Sequence, residues 1–385
     1  MIDPPSLRRS ARPGLPVKAH VRALEPADLD QVVELHRLGF GEGTAREHLR
    51  TFLRDIFFGH PWQDDSFPSL AYVGRTGDVV GCLGCMPRPM VLHGEPIRAV
   101  VSHNFIVAPG ERDGLAAIHL MRGLMAQGPD LTLADGNAPA RTISEALGAE
   151  TLLPRSSRWF RVLRPAGLGV HLLNEVLTGW KTSPAIDRAL SGVPGALVRA
   201  FSAPSGRSPP AGESGEDESD GGESQEPAVA ELLDVMERLT GHLSLRPVYT
   251  EATLGWLLET LRRTRRDQTL RVAVVRASGE VAGWYVFYSR PGGVGRVLQM
   301  GAGPEAQERV LEHLFARALK EKNVAVTGQS DPAWSSAFKA TSCRIRPGRT
   351  WMLLQTSNRR VQHAFATADV FLSRLEGEGW LHFGY

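Results

Sequence analysis

The chain has 385 residues, 42% of them hydrophobic and 22% charged, with a formal net charge of +2. That length exceeds what one hydrophobic core usually organises, so two domains are expected. A charge this close to zero sets up no field that would draw the chain onto nucleic acid or a membrane surface. Three cysteines, an odd and low number, argue against a disulfide framework and for a reducing compartment.

The N-terminal MIDPPSLRRSARPGLP is rich in Pro and Arg and lacks the apolar run of a signal peptide. Residues 1–18 read as a flexible arm and the chain as cytoplasmic, with no membrane partner. In VRALEPADLDQVVELHRLGF a short strand leads into a helix with Leu29, Val32, Val33, Leu35 and Leu38 at helical spacing and Asp28 as its N-cap. A second helix covers 45–58. The stretch from Ser69 to Pro109 reads as three antiparallel strands with turns at Arg75–Asp78 and His93–Glu95. A helix entered from VAPGERDGLAA follows, then strand LTLAD (131–135), helix APARTISEALG (138–148) and a strand around RWFRVLRP (158–165). Cys82 and Cys85 make a C-x-x-C inside a strand, with no second Cys/His pair nearby, so packing rather than metal is expected and no metal is invoked.

Residues 203–227, APSGRSPPAGESGEDESDGGESQEP, carry no aliphatic side chain larger than Ala and cannot offset their ordering entropy by burial, so they read as a disordered acidic linker. Beyond it the earlier order recurs. VAVVRASGEVAGW at 272–284 repeats the hairpin AYVGRTGDVVGC at 71–82, VGRVLQMGAG (294–303) stands where the strand before VAPG stands, and PEAQERVLEHLFARALKEK (304–322) replaces the helix that follows. The strand VAVTG and a short helix in DPAWSSAFKA come next, and ATADVFLSRLEGEGWLHF reads as a helix plus a closing aromatic segment. The basic cluster from Arg262 to Arg266 reads as a solvated helix end. A duplicated domain explains the recurrence: an α+β chain of two tandem units, each a mixed, mostly antiparallel sheet flanked by helices. The division expected is 19–175, a connecting helical segment at 176–202, the linker at 203–227, and 228–385.

A strand meander, a helix entered from Val107-x-Pro109-x-x-Arg112, then a strand and the in-register Asn137-x-x-Ala140 helix ending at Gly148 together resemble the GNAT superfamily of acyl-CoA N-acyltransferases. The resemblance covers residues 20–165 well and 245–355 weakly. It implies that the strand before the loop splays from its neighbour to receive the pantetheine arm. It also implies that amides at the helix start hold the pyrophosphate. On this reading Phe105, Ile106, Val107, Arg112, Asp113, Gly114, Leu115, Ala116, Asn137 and Ala140 contact acetyl-CoA or another acyl-CoA, the co-substrate. Gly114-Leu115-Ala116 falls one residue early against the family's loop, and alignment on Gly114 instead puts Glu111 where the family has Arg or Gln. His103 and Asp135, near the ends of the two strands, are the candidate general bases. Ser144 stands where the family carries the Tyr that protonates the departing thiolate. The second unit, with Gly301-Ala302-Gly303-Pro304-Glu305 before its helix, reads as a non-binding copy.

The activity implied is transfer of an acyl group to a small-molecule or peptide amine by direct attack, with the protein a monomer or homodimer. Two alternatives stay open: a Fem-like aminoacyl-tRNA-dependent transferase, against which the near-neutral charge weighs, and a non-catalytic acyl-CoA-binding or scaffold protein of the same fold.

Overall fold

The computed structural model describes residues 18–40, 45–111, 115–169, 171, 226–265 and 267–381. The expected N-terminal arm, connecting segment and acidic linker lie almost wholly outside them. In chain order the elements are β1 (His20–Ala23), α1 (Leu29–Phe40), α2 (Arg46–Phe58), β2 (Leu70–Val73), β3 (Val79–Leu92), β4 (Glu95–Val107), α3 (Ala116–Ala126), β5 (Leu131–Gly136), α4 (Ala138–Ala146), β6 (Glu150–Thr151), α5 (Leu153–Ser156) and β7 (Ser157–Val162). Then come α6 (Val229–Thr240), β8 (Leu245–Pro247), α7 (Glu251–Thr264), β9 (Thr269–Ala277), β10 (Glu280–Ser289), β11 (Val294–Ala302), α8 (Gln307–Lys320) and β12 (Ala325–Gln329). The chain continues with α9 (Ser335–Ala340), β13 (Arg344–Pro347), β14 (Trp351–Gln355) and α10 (Arg359–Ala366).

Two compact units result, and they are not the two linear halves. The first takes residues 1–156, 243–264 and 349–385; the second takes 157–242 and 265–348. In the first, the strand order is β1-β2-β3-β4-β5-β14-β6, with β8 paired to β3. In the second it is β13-β7-β12-β11-β10-β9. All neighbours are antiparallel except β4 with β5 and β11 with β12. Each unit therefore repeats a three-stranded meander, a helix and a parallel strand, as the recurrence in sequence implies.

The difference from the linear division is the fate of two strands. The segment around Trp159 was expected to close the first sheet, but β7 joins the second. Trp159 is fully buried there with Phe315 and Phe338, its indole lying on Gly328. A Cβ at Gly328 would meet that ring at 2.7 Å, so only Gly lets the two strands pair with the indole lying across the Gly328 position. The vacated place beside β5 goes to β14, whose Met352, Leu353 and Leu354 are buried.

The C-terminal reading is also corrected. The helix is α10, ending at Ala366, and the segment after it is not an α-helix but an irregular stretch with a turn at 374–376 and a 3-10 turn at Glu378–Trp380. It is held by specific polar contacts: the buried Arg155 donates to the carbonyl of Leu372 at 2.9 Å, and Trp380 Nε1 donates to the Leu375 carbonyl at 3.0 Å. Asp28 does not cap α1. Its carboxylate instead takes the Arg22 guanidinium at 2.6 and 2.8 Å and the Glu25 amide at 2.9 Å, which lowers its pKa.

The first sheet carries helices on both faces. Phe105 and Val107 pack with Leu83, Cys85, Leu120, Met121 and Leu124 on the α3 side. Ile106 faces the other way, where a Cβ at Gly39 of α1 would meet its Cγ2 at 3.3 Å. The β3–β4 hairpin turns at His93–Gly94, both at positive φ (52° and 82°), the combination that matches strand twist in a two-residue turn. Cys82 and Cys85 are buried in β3, and burial pushes both thiols up to about 12, so they are packing groups.

Candidate active site

The first unit contains a fork between parallel strands. β4 and β5 stay in register through Ala99–Leu131, Val100–Thr132 and Val101–Leu133, and the pairing stops there. Just beyond, Asn104 takes φ 48°, a left-handed conformation uncommon outside Gly, and the outward alternation of β4 is interrupted. The amides of Asn104 and Asp135, one on each arm, do not bond across the gap. Both donate to one carboxylate: Asn104 N–H to Glu378 Oε1 at 3.2 Å and Asp135 N–H to Glu378 Oε2 at 2.8 Å. Glu378, only 5% exposed, thus bridges the two arms from the C-terminal turn.

Asn104 is also fully buried, and its side chain determines the state of its neighbour. Its Nδ2 donates to the Leu381 carbonyl at 3.0 Å, an acceptor that fixes which way the amide faces. The same nitrogen lies 3.0 Å from His103 Nδ1, so that ring atom accepts and the imidazole proton is assigned to Nε2. The His103 ring is fully buried, 5.1 Å from the Phe57 ring and pressed against Gly84, where a Cβ would come within 2.2 Å of it. In this tautomer the lone pair that a general base needs is already engaged. Asn104 Oδ1 faces the interior with no hydrogen-bond partner among the described residues.

The other expected site residues are distributed as follows. Phe105, Ile106 and Val107 are the last three residues of β4, beyond the fork. Arg112, Asp113 and Gly114 lie outside the described residues. Leu115 is exposed at the N-cap of α3 and supplies no side-chain cap; Ala116, the first helical residue, is buried. The opening amides of α3 therefore have no side-chain acceptor at the cap position, the condition under which a helix start can receive an anion. Asn137 caps α4, its side chain accepting the Ala140 amide at 3.1 Å. Ser144 is buried, about 9 Å along the helix axis from Ala138.

The fork thus brings together His103, Asn104, Asp135 and Glu378. Sequence reading found the first and third. It missed Asn104 because a lone Asn inside a strand has no signature, and Glu378 because it is 243 residues from Asp135 in sequence. Among the described residues, no three His, Cys, Asp or Glu side chains group as metal ligands, and no helix is long and apolar enough to cross a membrane.

In the second unit the parallel pair β11–β12 ends its register at Arg296–Thr327. Five residues farther along β11 the Trp284 indole covers Gly301, where a Cβ would meet it at 2.0 Å, and it donates to Gln299 Oε1 at 2.9 Å.

No protein-family model matches this sequence, and no curated protein matches it. Solved structures do. A GCN5-related N-acetyltransferase from Anabaena variabilis ATCC 29413 superposes with a TM-score of 0.54 at 11% identity, over 89% of this chain and 74% of that one. A conserved protein of unknown function from Enterococcus faecalis V583, described as a probable N-acyltransferase, gives 0.54 at 10% identity, over 88% of this chain and 73% of its own.

Proposed function

We propose that this chain, which has the fold of the GCN5-related N-acetyltransferases, is an N-acyltransferase. It moves an acyl group from acyl-CoA, acetyl-CoA in the first instance, to an amine acceptor in a ternary complex. The observation that carries the reading is the fork: two strand amides, Asn104 and Asp135, that both donate to one carboxylate. Donors fixed in advance where negative charge develops are the largest lever on acyl transfer.

The chemistry follows from these groups. The thioester enters between the arms of the fork, with the pyrophosphate at the start of α3. Its carbonyl oxygen takes the Asn104 amide and so releases Glu378 Oε1. The carboxylate, still held at Oε2 by Asp135, is then the base. The amine nitrogen bonds to the carbonyl carbon and gives its proton to Glu378. The C–S bond breaks and CoA leaves as a thiolate. Asn104 Oδ1 is placed to accept an N–H of the amine and orient it. His103 is a positioning residue that holds Asn104. A thiolate leaves readily near neutral pH, so Ser144 is not needed as an acid. The reading includes a cytoplasmic enzyme, and a second unit that acts as a non-binding copy.

Calorimetry of the full chain with acetyl-CoA and with CoA tests this. Binding of both in the micromolar range, with acetyl transfer to a panel of amines, is expected. No heat at millimolar ligand refutes the CoA reading. One observation favours the second, non-catalytic reading, namely that Glu378 already occupies both amides. Binding of acetyl-CoA with no transfer to any amine would select it.

A further inference from the structure

A buried cationic cluster lies on the first unit, apart from the fork but on the same sheet face. Along β3, Gly84, Met86 and Arg88 alternate onto the face where the His103 ring rests on Gly84. Arg88 is only 3% exposed. Its guanidinium lies over the Trp62 ring at 4.1 Å, and its Nη2 donates to the Tyr249 hydroxyl at 2.9 Å. Tyr249 in turn donates to Glu376, whose other oxygen accepts both the amide and the hydroxyl of Ser373 at 2.6 Å. That relay uses one end of the guanidinium. At the other end, Arg88 Nη1 has no hydrogen-bond partner among the described residues, and neither has Trp62 Nε1 in the ring stacked beneath it.

These two orphaned groups are both donors, and one belongs to a guanidinium. A third nitrogen is close: His60 Nδ1 accepts the Trp62 amide at 3.2 Å, which leaves its proton on Nε2. Burial, then Arg88, pushes the His60 pKa down to about 4, so it is neutral near pH 7 and adds no second charge. Donors without acceptors around a desolvated cation call for an oxygen anion, since each buried, unmade hydrogen bond is costly. The cluster also connects to the fork. Trp62 meets Trp256 edge-on at 5.5 Å, and Trp256 meets Trp380 at 6.2 Å, two residues past Glu378. Arg88 lies four residues along β3 from Gly84, which is about 13 Å of strand.

We infer that Arg88 Nη1 and Trp62 Nε1 form a carboxylate subsite, and that the acceptor is an amine bearing a free carboxylate up to about 13 Å from its nitrogen, the span of roughly three to four extended residues. The substrate class is a short peptide or a long ω-amino acid, with its amine at the fork, its carboxylate on Arg88 and the tryptophans beside its length. This assignment of the acceptor rests on the acyltransferase reading; the carboxylate subsite itself does not.

The test uses triglycine and triglycinamide, which differ only in the terminal charge. On the full chain with 15N-labelled tryptophan, triglycine is expected to shift one indole N–H resonance that is missing in Trp62→Phe, and triglycinamide is expected to leave it in place. With acetyl-CoA present, the ratio of kcat/KM for triglycine over triglycinamide should exceed one by tenfold or more. It should fall to about one in Trp62→Phe, which keeps the ring under Arg88, and in Arg88→Lys. An indole shift without turnover keeps the subsite and sinks the acyltransferase reading. Turnover with equal use of the two peptides and no indole shift keeps the enzyme and overturns the subsite, the donors then being served by internal water only.

Discussion

Glu378→Gln tests the fork directly, because the two side chains have nearly the same shape. The carboxylate presents two acceptors to the amides of Asn104 and Asp135, at 3.2 and 2.8 Å. A carboxamide presents one acceptor and one donor, so one amide must face an N–H instead of an oxygen. The shorter bond to Asp135 should survive and the Asn104 amide should be stranded. Losing a hydrogen bond to a charged acceptor and leaving a buried N–H unpaired amounts to about 2 kcal/mol, or about 30-fold in local opening. Hydrogen exchange followed residue by residue should therefore show the Asn104 amide exchanging about 30-fold faster, with a smaller change at Asp135. Turnover should fall by about 10²–10⁴-fold, since the variant also lacks the base. Unchanged exchange at both amides would refute the bridging role. Faster exchange with turnover intact would leave Glu378 structural and remove it from the chemistry.

The remaining expectations are simpler. His60 has its pKa pushed from 6.5 down to about 4 by burial and then by Arg88, so the unfolded chain binds the extra proton between those values. Stability is therefore lost as pH falls from about 6.5 through 4, by about 3 kcal/mol, and His60→Gln should flatten that part of the denaturant midpoint plotted against pH. Gly84→Ala places a methyl 2.2 Å from the His103 ring, which must move; a loss of about 2–3 kcal/mol in chemical denaturation is expected, and a neutral result would contradict the close packing at the fork. Cys82 and Cys85, with thiols pushed up to about 12, should resist a thiol reagent at pH 8 until the protein unfolds. The half-buried Cys343 should react first, and early labelling of Cys82 would argue against a tightly packed β3.

Local features were legible in one dimension because their causes are local. Alternating apolar residues and His93-Gly94 define the β3–β4 hairpin through side-chain period and turn geometry alone. Asn137 announces the start of α4 because a side-chain oxygen three residues ahead of Ala140 can reach its amide. The recurrence of hairpin, strand and helix about 200 residues later likewise pointed to two similar units. The helix assigned to the C-terminal segment failed for the opposite reason. Leu372, Leu375, Trp380 and Leu381 are apolar because they are buried against distant elements, and burial imposes no helical period of its own.

The partnership of strands could be decided only in three dimensions. β7 and β14 are both short and carry large apolar side chains, and either could border either sheet by length. Trp159 fits where Gly328 leaves room, and that fit is a property of two strands 169 positions apart. The fork is similar: its two amides lie on β4 and β5, and the carboxylate that joins them arrives from position 378. The sequence by itself determined the two strand meanders, the helix and strand after each, and their recurrence, because propensity, capping and periodicity act within a few residues. Tertiary structure decided which strands pair, which nitrogen of His103 holds its proton, and which acid faces the fork, because hydrogen bonding and burial act through space without regard to sequence distance.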